Sequence, residues 1–120
     1  MVKSFMPGPL TMIVKRKKSF PKIVNKDFSF RISSGKIALE LAKRASVPMT
    51  ATSANIHGNP SIYSSKKIIK WFNGKVNIIL DAGKLKKEKP STIVDIKSGE
   101  PKLIREGSIP FKKISKFLKN

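Results

Sequence analysis

A chain of 120 residues with 26 Lys and Arg, 7 Asp and Glu and a net charge of +19 makes one domain with a modest core, in a field that draws polyanions. The absence of cysteine excludes disulfides, thiol catalysis and zinc–thiolate centres, and no apolar run approaches the ~20 residues of a membrane span. The opening residues, MVKSFMPGPLT, lack the apolar stretch and cleavage site of a signal peptide, so the expectation is a cytoplasmic protein that uses no membrane.

The elements are expected in this order. Residues 10–15 (LTMIVK) and 28–32 (FSFRI) read as strands, the second from its alternating apolar residues. Between them, KRKKSFPKIVNKD reads as a basic, hairpin-like excursion. Ser33, Ser34 and Gly35 supply helix-start chemistry for a helix over 36–45. There Ile37, Leu41 and Ala45 share one face, Glu40 and Arg44 pair, and Pro48 ends the run. Residues 49–52 read as a short strand. Ser64 or Ser65 caps a second helix through Phe72, with Ile68, Ile69 and Phe72 inward and Gly74 as its stop. Residues 76–80 (VNIIL) read as a buried strand. Residues 92–96 and 102–104 form two more strands around the turn KSGEP. Ser108 and Pro110 open a last helix with Phe111, Ile114, Phe117 and Leu118 inward and lysines outward. The expected fold is α/β, with at least five strands and three helices in one domain.

Little classical catalytic chemistry is available. His57 is the single histidine, and no acid lies near it in sequence, which argues against a Ser–His–Asp triad. The seven acids are scattered, with no spacing for a metal cage or an acid/base pair. Asp81 and Asp95 end apolar strands, where turn chemistry is the commoner role. No phosphate-loop or dinucleotide-binding glycine motif is present. What stands out is the uncharged run 45–65 in so basic a chain. Within it, Ser53, Asn55, Ser61, Ser64 and Ser65 precede a helix N-terminus, and Gly58 permits close backbone approach. Two readings stand: an anion cradle of neutral donors, or an ordinary polar turn. The charge likewise has two readings, a polyanion-binding field or a plain lysine-rich surface.

Four segments in order carry a resemblance: PGPLTMIV (7–14), ATSANIHGNPS (51–61), PSTIVDI (90–96) and LIREGSI (103–109). Together they resemble the YrdC-like threonylcarbamoyl-AMP synthase family over nearly the whole chain. The resemblance implies a twisted mixed sheet with flanking helices, the YrdC-like fold, around a positively charged cavity. It implies synthesis of threonylcarbamoyl-AMP from L-threonine, bicarbonate and ATP, with release of pyrophosphate and Mg²⁺ on the phosphates. The product serves threonylcarbamoylation of tRNA. Threonine's own amine captures the carbon, so the protein positions reactants and needs no covalent nucleophile.

Carried onto matching positions, the resemblance places Thr11, Ser53, Asn55, Ser61 and Arg105 at ATP. Lys15, Ala51 and Ser91 fall at threonine; Lys15 stands where archaeal relatives place an arginine, keeping the charge without the bidentate fork. Thr92 and Arg31 are read as strand packing and surface pairing. His57, Ser33 and Glu106 depart from the family pattern. The family's Pro-Thr-Glu-Thr-x-Tyr-Gly stretch and Lys-x-Arg phosphate motif have no counterpart here, so the chain reads as the C-terminal portion of a synthase domain. That implies an upstream chain or longer parent supplying the rest, weak or no catalysis alone, and exposed apolar faces. The rival reading, from charge, is a basic double-stranded RNA or tRNA-binding module without catalysis. It lacks the aromatic-rich strands of stacking RNA readers.

Overall fold

The computed structural model describes residues 1–19 and 27–117. Within them the chain forms two compact units, Met1–Pro48 with Lys89–Asn120, and Met49–Glu88.

The first unit is built on a four-stranded mixed sheet ordered β2-β1-β3-β4. The strands are β1 (Leu10–Lys15), β2 (Asp27–Phe30), β3 (Thr92–Asp95) and β4 (Lys102–Arg105). β1 pairs antiparallel with β2, Met12 opposite Phe30, and parallel with β3, Leu10 opposite Thr92 and Met12 opposite Val94. β3 pairs antiparallel with β4. Residues 20–26 of the expected basic excursion lie outside the described residues, as do Leu118 and the residues after it.

Alternation along β1 and β3 sorts the side chains. Leu10, Met12, Thr92 and Val94 are buried on one face, and Thr11, Ile13 and Lys15 take the other. The buried face meets two short helices, α1 (Val2–Phe5) and the last helix, α4 (Phe111–Lys116). Met6, Leu10, Met12, Val94 and Ile114 make the core, with Phe5, Val14, Phe30, Ile96, Ile109 and Phe111 packed against it. Phe5 meets Phe117 edge to face at 5.7 Å between centroids. Each fully buried Leu, Val or Ile stabilises by roughly 1.5–3 kcal/mol, so this cluster is the main hydrophobic term of the unit.

The long helix of this unit, α2, spans Lys36–Ala45 as its pattern requires. Gly35 is its N-cap, and the Gly35 amide donates to Ser33 Oγ at 3.1 Å, an ST turn at the entry. The helix leaves through Ser46 in the left-handed region, φ 54°, two residues before Pro48. Glu40 pairs with Lys43 at 3.0 Å rather than with Arg44. The expected inward face is not covered among the described residues: Ile37 is 50% exposed and Leu41 39%.

The second unit holds one helix, α3 (Ser65–Phe72), with Ser64 at the N-cap position but no cap hydrogen bond from its side chain, and with Gly74 following at φ 75°. Ile68 and Phe72 are half-buried, and Ile69 is exposed. The strands expected at 49–52 and 76–80 do not form among the described residues. Both segments have the composition of strands, but a ladder needs a neighbouring edge, and none pairs with them here. Ile78, the centre of the apolar run, is accordingly 77% exposed. The described residues therefore hold four strands, not five or more. They also hold α1, which is too short to leave a periodic signal.

Candidate functional site

The first unit gathers Thr11, Ser91 and Arg105 from three strand ends, 94 residues of chain apart at the extremes. Thr11 Oγ1 and Ser91 Oγ hydrogen-bond at 2.8 Å, eighty positions apart in sequence. Parallel pairing brings them together: Thr11 lies opposite Ile93, and Ser91 stands just before Thr92. The Thr92 amide donates to the Pro9 carbonyl at 2.9 Å, which sets the start of β3 against the PGP turn.

Arg105 arrives through a bulge. Ile93 lies opposite Arg105 and Val94 opposite Leu103, so Ile104 is an extra residue on β4. Such bulges re-aim the next side chain. Arg105 donates from Nε (3.3 Å) and Nη2 (3.0 Å) to the Ser91 carbonyl, with a longer Nη2 contact to Ser91 Oγ at 3.4 Å. Two donors of its fork thus brace Ser91, a use of Arg105 that the sequence alone did not reveal. Ser91 is buried, Thr11 half-buried, and Arg105 exposed. Lys15 lies on the Thr11 face of β1 but four residues further along, roughly 13 Å away at strand spacing, and is exposed. The structure does not bring it to the Thr11–Ser91 pair.

The loops around this group are laced together. Ser108 N–H donates to the Pro90 carbonyl at 3.0 Å and Ser108 Oγ to the Lys89 carbonyl at 2.9 Å. Glu106, a departure from the family pattern, has a clear role: its Oε2 accepts the Phe111 N–H at 2.8 Å, satisfying an otherwise orphan donor at the start of α4. Asp95 is turn chemistry, as expected: its Oδ1 accepts the Lys97 N–H at 2.9 Å. Lys97 Nζ bridges Asp27 (2.9 Å) and Asp95 (3.3 Å). The Lys97 backbone N–H, then its ammonium, hold the Asp95 carboxyl below its ordinary value; hydrogen bonds from Lys97 to Asp27 and Asp95 raise the Lys97 ammonium above its own.

In the second unit, Asn55 organises the neutral loop. Asn59 N–H donates to the Ile56 carbonyl at 2.9 Å, and Gly58 sits third in that turn at φ 82°. A positive φ there is the requirement of a type II turn. Asn55 Nδ2 donates to the Asn59 carbonyl at 2.7 Å and the Ile56 carbonyl at 3.2 Å, while its Oδ1 is buried without a partner among the described residues. Half of the Asn55 amide holds the turn, and the other half is a buried acceptor without a partner among the described residues. Ala51, Ser53, His57 and Ser61 are exposed. Ser61 lines an open cavity of about 640 Å³ with Tyr63, Lys66, Lys67, Trp71 and Lys84. Asp81 Oδ1 accepts the Gly83 N–H at 2.7 Å, again a turn role.

No group of three or more metal-ligating side chains comes together among the described residues. Nor is any helix among them long and apolar enough to cross a membrane. Hydroxyls, a primary amide and an arginine can bind and orient a ligand by hydrogen bonds. The fold is that of an α/β protein built on a mixed four-stranded sheet.

Comparison with known proteins agrees. The Sua5, YciO and YrdC family, described as "Telomere recombination", matches residues 1–107. The chain belongs to that family. A Methanocaldococcus jannaschii protein provisionally named a threonylcarbamoyl-AMP synthase is 43% identical over 116 residues, 96% of this chain and 55% of its own length. A Pyrococcus abyssi threonylcarbamoyl-AMP synthase is 32% identical, over 98% of this chain and 36% of its own length. The crystal structure of P. abyssi Sua5 complexed with L-threonine superposes with a TM-score of 0.83 at 33% identity, covering 96% of this chain and 35% of that one. Escherichia coli YciO gives 0.80 at 28% identity, covering 92% and 56%. The fold expected from the four motifs is thus the observed one. The chain spans about half the length of the M. jannaschii relative and of E. coli YciO and about a third of the P. abyssi synthase, so what whole relatives do is not thereby shown for it.

Proposed function

We propose that this chain is the part of an L-threonylcarbamoyladenylate synthase that orients L-threonine and ATP for carbamate attack on the α-phosphate. The observation that carries the reading is the Thr11–Ser91 hydroxyl pair braced by Arg105, three motif residues gathered on one sheet. Support comes from the L-threonine complex of the P. abyssi relative. In the reaction, the threonine amine takes up carbon dioxide from bicarbonate as a carbamate. A carbamate oxygen then attacks the α-phosphorus, and pyrophosphate leaves. Every step is served by positioning and charge neutralisation. Ser91 and Ala51 are assigned to threonine by their motif positions; Lys15, roughly 13 Å along β1 from Thr11 at strand spacing, drops out of that assignment. Thr11, Ser53, Asn55, Ser61 and Arg105 are assigned to ATP by their motif positions. Mg²⁺ arrives on the triphosphate as part of the substrate, since the scattered carboxylates make no cage for it. The product serves tRNA threonylcarbamoylation in the cytoplasm. The family domain is completed by the portion this chain does not span, from an upstream chain or a longer parent.

The test is threonine- and bicarbonate-dependent release of pyrophosphate from ATP, by the chain alone and with the remaining portion of the domain added. The expected result is little turnover alone and substrate-dependent turnover when complemented. Robust turnover alone overturns the incomplete-site part of the reading, and no threonine dependence in either mixture overturns the synthase reading. Salt-sensitive RNA binding without turnover would favour the basic RNA-binding module instead.

A further inference from the structure

We propose that Thr92 is a positioning residue for the Thr11–Ser91–Arg105 group, acting through its hydroxyl. Thr92 is fully buried at the start of β3, between the site and the core. Its Oγ1 donates to the Ile109 carbonyl at 2.6 Å and accepts the N–H groups of Gly107 at 3.0 Å and Ile109 at 3.1 Å. One donor and two acceptors are the whole capacity of a hydroxyl, so this one is saturated. All three bonds go to the loop that follows Arg105.

The consequence runs through geometry. Arg105 ends β4, and only Glu106 separates it from Gly107. With Gly107 and Ile109 pinned to Thr92, the Arg105 backbone is held where its fork reaches the carbonyl of Ser91, the residue before Thr92. Ser91 in turn holds Thr11. One hydroxyl therefore fixes the approach of two chain segments and aligns three polar side chains on the opposite face of the sheet. Without it, two partly buried N–H groups and one carbonyl lose their partner, and the cheapest repair is for the loop to move out to water. That motion carries Arg105 away from Ser91. The inference rests on the reading that Ser91 faces threonine.

The experiment compares two variants of the 120-residue chain: Thr92→Val, which keeps the shape and removes the hydroxyl, and Thr92→Ser, which keeps the hydroxyl and drops a methyl. Hydrogen exchange by NMR reads the Gly107 and Ile109 amides and the Arg105 Nε–H; titration with L-threonine reads affinity. In Thr92→Val these three groups should exchange at least about tenfold faster while the Met12 and Val94 ladder amides stay protected, and L-threonine affinity should fall about tenfold. Thr92→Ser should restore both. Unchanged protection in Thr92→Val overturns the proposal. So does a loosened Arg105 Nε–H with unchanged affinity, which would make Thr92 purely structural. If Thr92→Val does not fold, Thr92→Ser decides: a folded serine chain with an unprotected Arg105 Nε–H overturns the proposal, and a protected one supports it. If the wild-type chain does not bind L-threonine even with the remaining portion of the domain added, the synthase reading falls, and the Arg105 exchange still decides the positioning claim.

Discussion

Gly107→Ala is the most revealing single change in the first unit. A Cβ at Gly107 would fall on the Pro90 carbonyl oxygen, 2.6 Å from the Ser91 carbonyl carbon and 2.8 Å from its oxygen. These are backbone atoms, which cannot swing aside as a side-chain tip can. The Gly107 loop must lift away, and it takes with it the Gly107 and Ile109 bonds to Thr92 and the Ser108 bond to Pro90. Overpacking of this kind costs about 1–3 kcal/mol, and each lost hydrogen bond about 0.5–1.5 kcal/mol net. Partial relaxation keeps these from adding in full, so the expected loss is about 2–4 kcal/mol. Urea unfolding reads it. With a slope of about 2 kcal/mol/M, the midpoint should fall by about 1–2 M at unchanged slope. A loss below about 0.5 kcal/mol, the size of an ordinary surface substitution, would show that the two loops are not in contact and refute the reasoning.

Other changes have defined outcomes. Ile114→Ala empties a fully buried position beside Leu10 and Val94 and should cost about 2–5 kcal/mol, read by the same urea titration. Gly58→Ala meets no atom within 4 Å but forces alanine to φ 82°; it should cost about 1–2 kcal/mol locally, seen as faster exchange of the Asn59 amide and not as a global shift. The Asp27–Lys97–Asp95 group sets a pH dependence. Asp95, held below its ordinary value, contributes stability that is present above about pH 4 and lost as the pH falls through its lowered native value. Lys97, held above its ordinary value, contributes stability that is present below about pH 10 and lost as the pH rises through its raised native value. Lys97→Met should abolish the alkaline loss and reduce the acid one, checked by urea midpoints between pH 3 and 11. Asp95 keeps part of its acid dependence there, because the residue 97 amide still donates to it.

Much of the first unit was legible from local pattern. β1 and β3 form where their apolar, β-branched composition puts strands, and α2 has the helical period and ends at the residue the pattern demands. The segments 49–52 and 76–80 misled because β propensity reports a side chain that suits a pleated, half-buried surface, while forming a strand needs an edge to pair with. The candidate site divided in the same way. Thr11, Ser91 and Arg105 were found through motifs and meet in space. The Ile104 bulge and the Thr92 hub were not found, because both depend on which strands pair across long stretches of chain. A buried threonine hydroxyl also leaves no mark in sequence that separates it from any other strand threonine.

The neutral stretch 50–61 and the braced arginine answer one physical question. A field of +19 can hold a polyanion anywhere on its surface, but it cannot orient one, since a point charge has no preferred angle. Orientation requires donors and acceptors of fixed direction, and those must themselves be held. Asn55 is held by spending its Nδ2 on the 56–59 turn, which leaves Oδ1 aimed by the same bonds. Ser91 is held by Arg105, whose Nε and Nη2 both donate to its carbonyl. Replacing Arg105 by lysine, which keeps the charge and loses the two-point grip, therefore separates the two roles. If Arg105 works by its charge on ATP, Arg105→Lys keeps nucleotide binding and leaves L-threonine affinity untouched. If it works by bracing Ser91, L-threonine affinity falls although the net charge is the same.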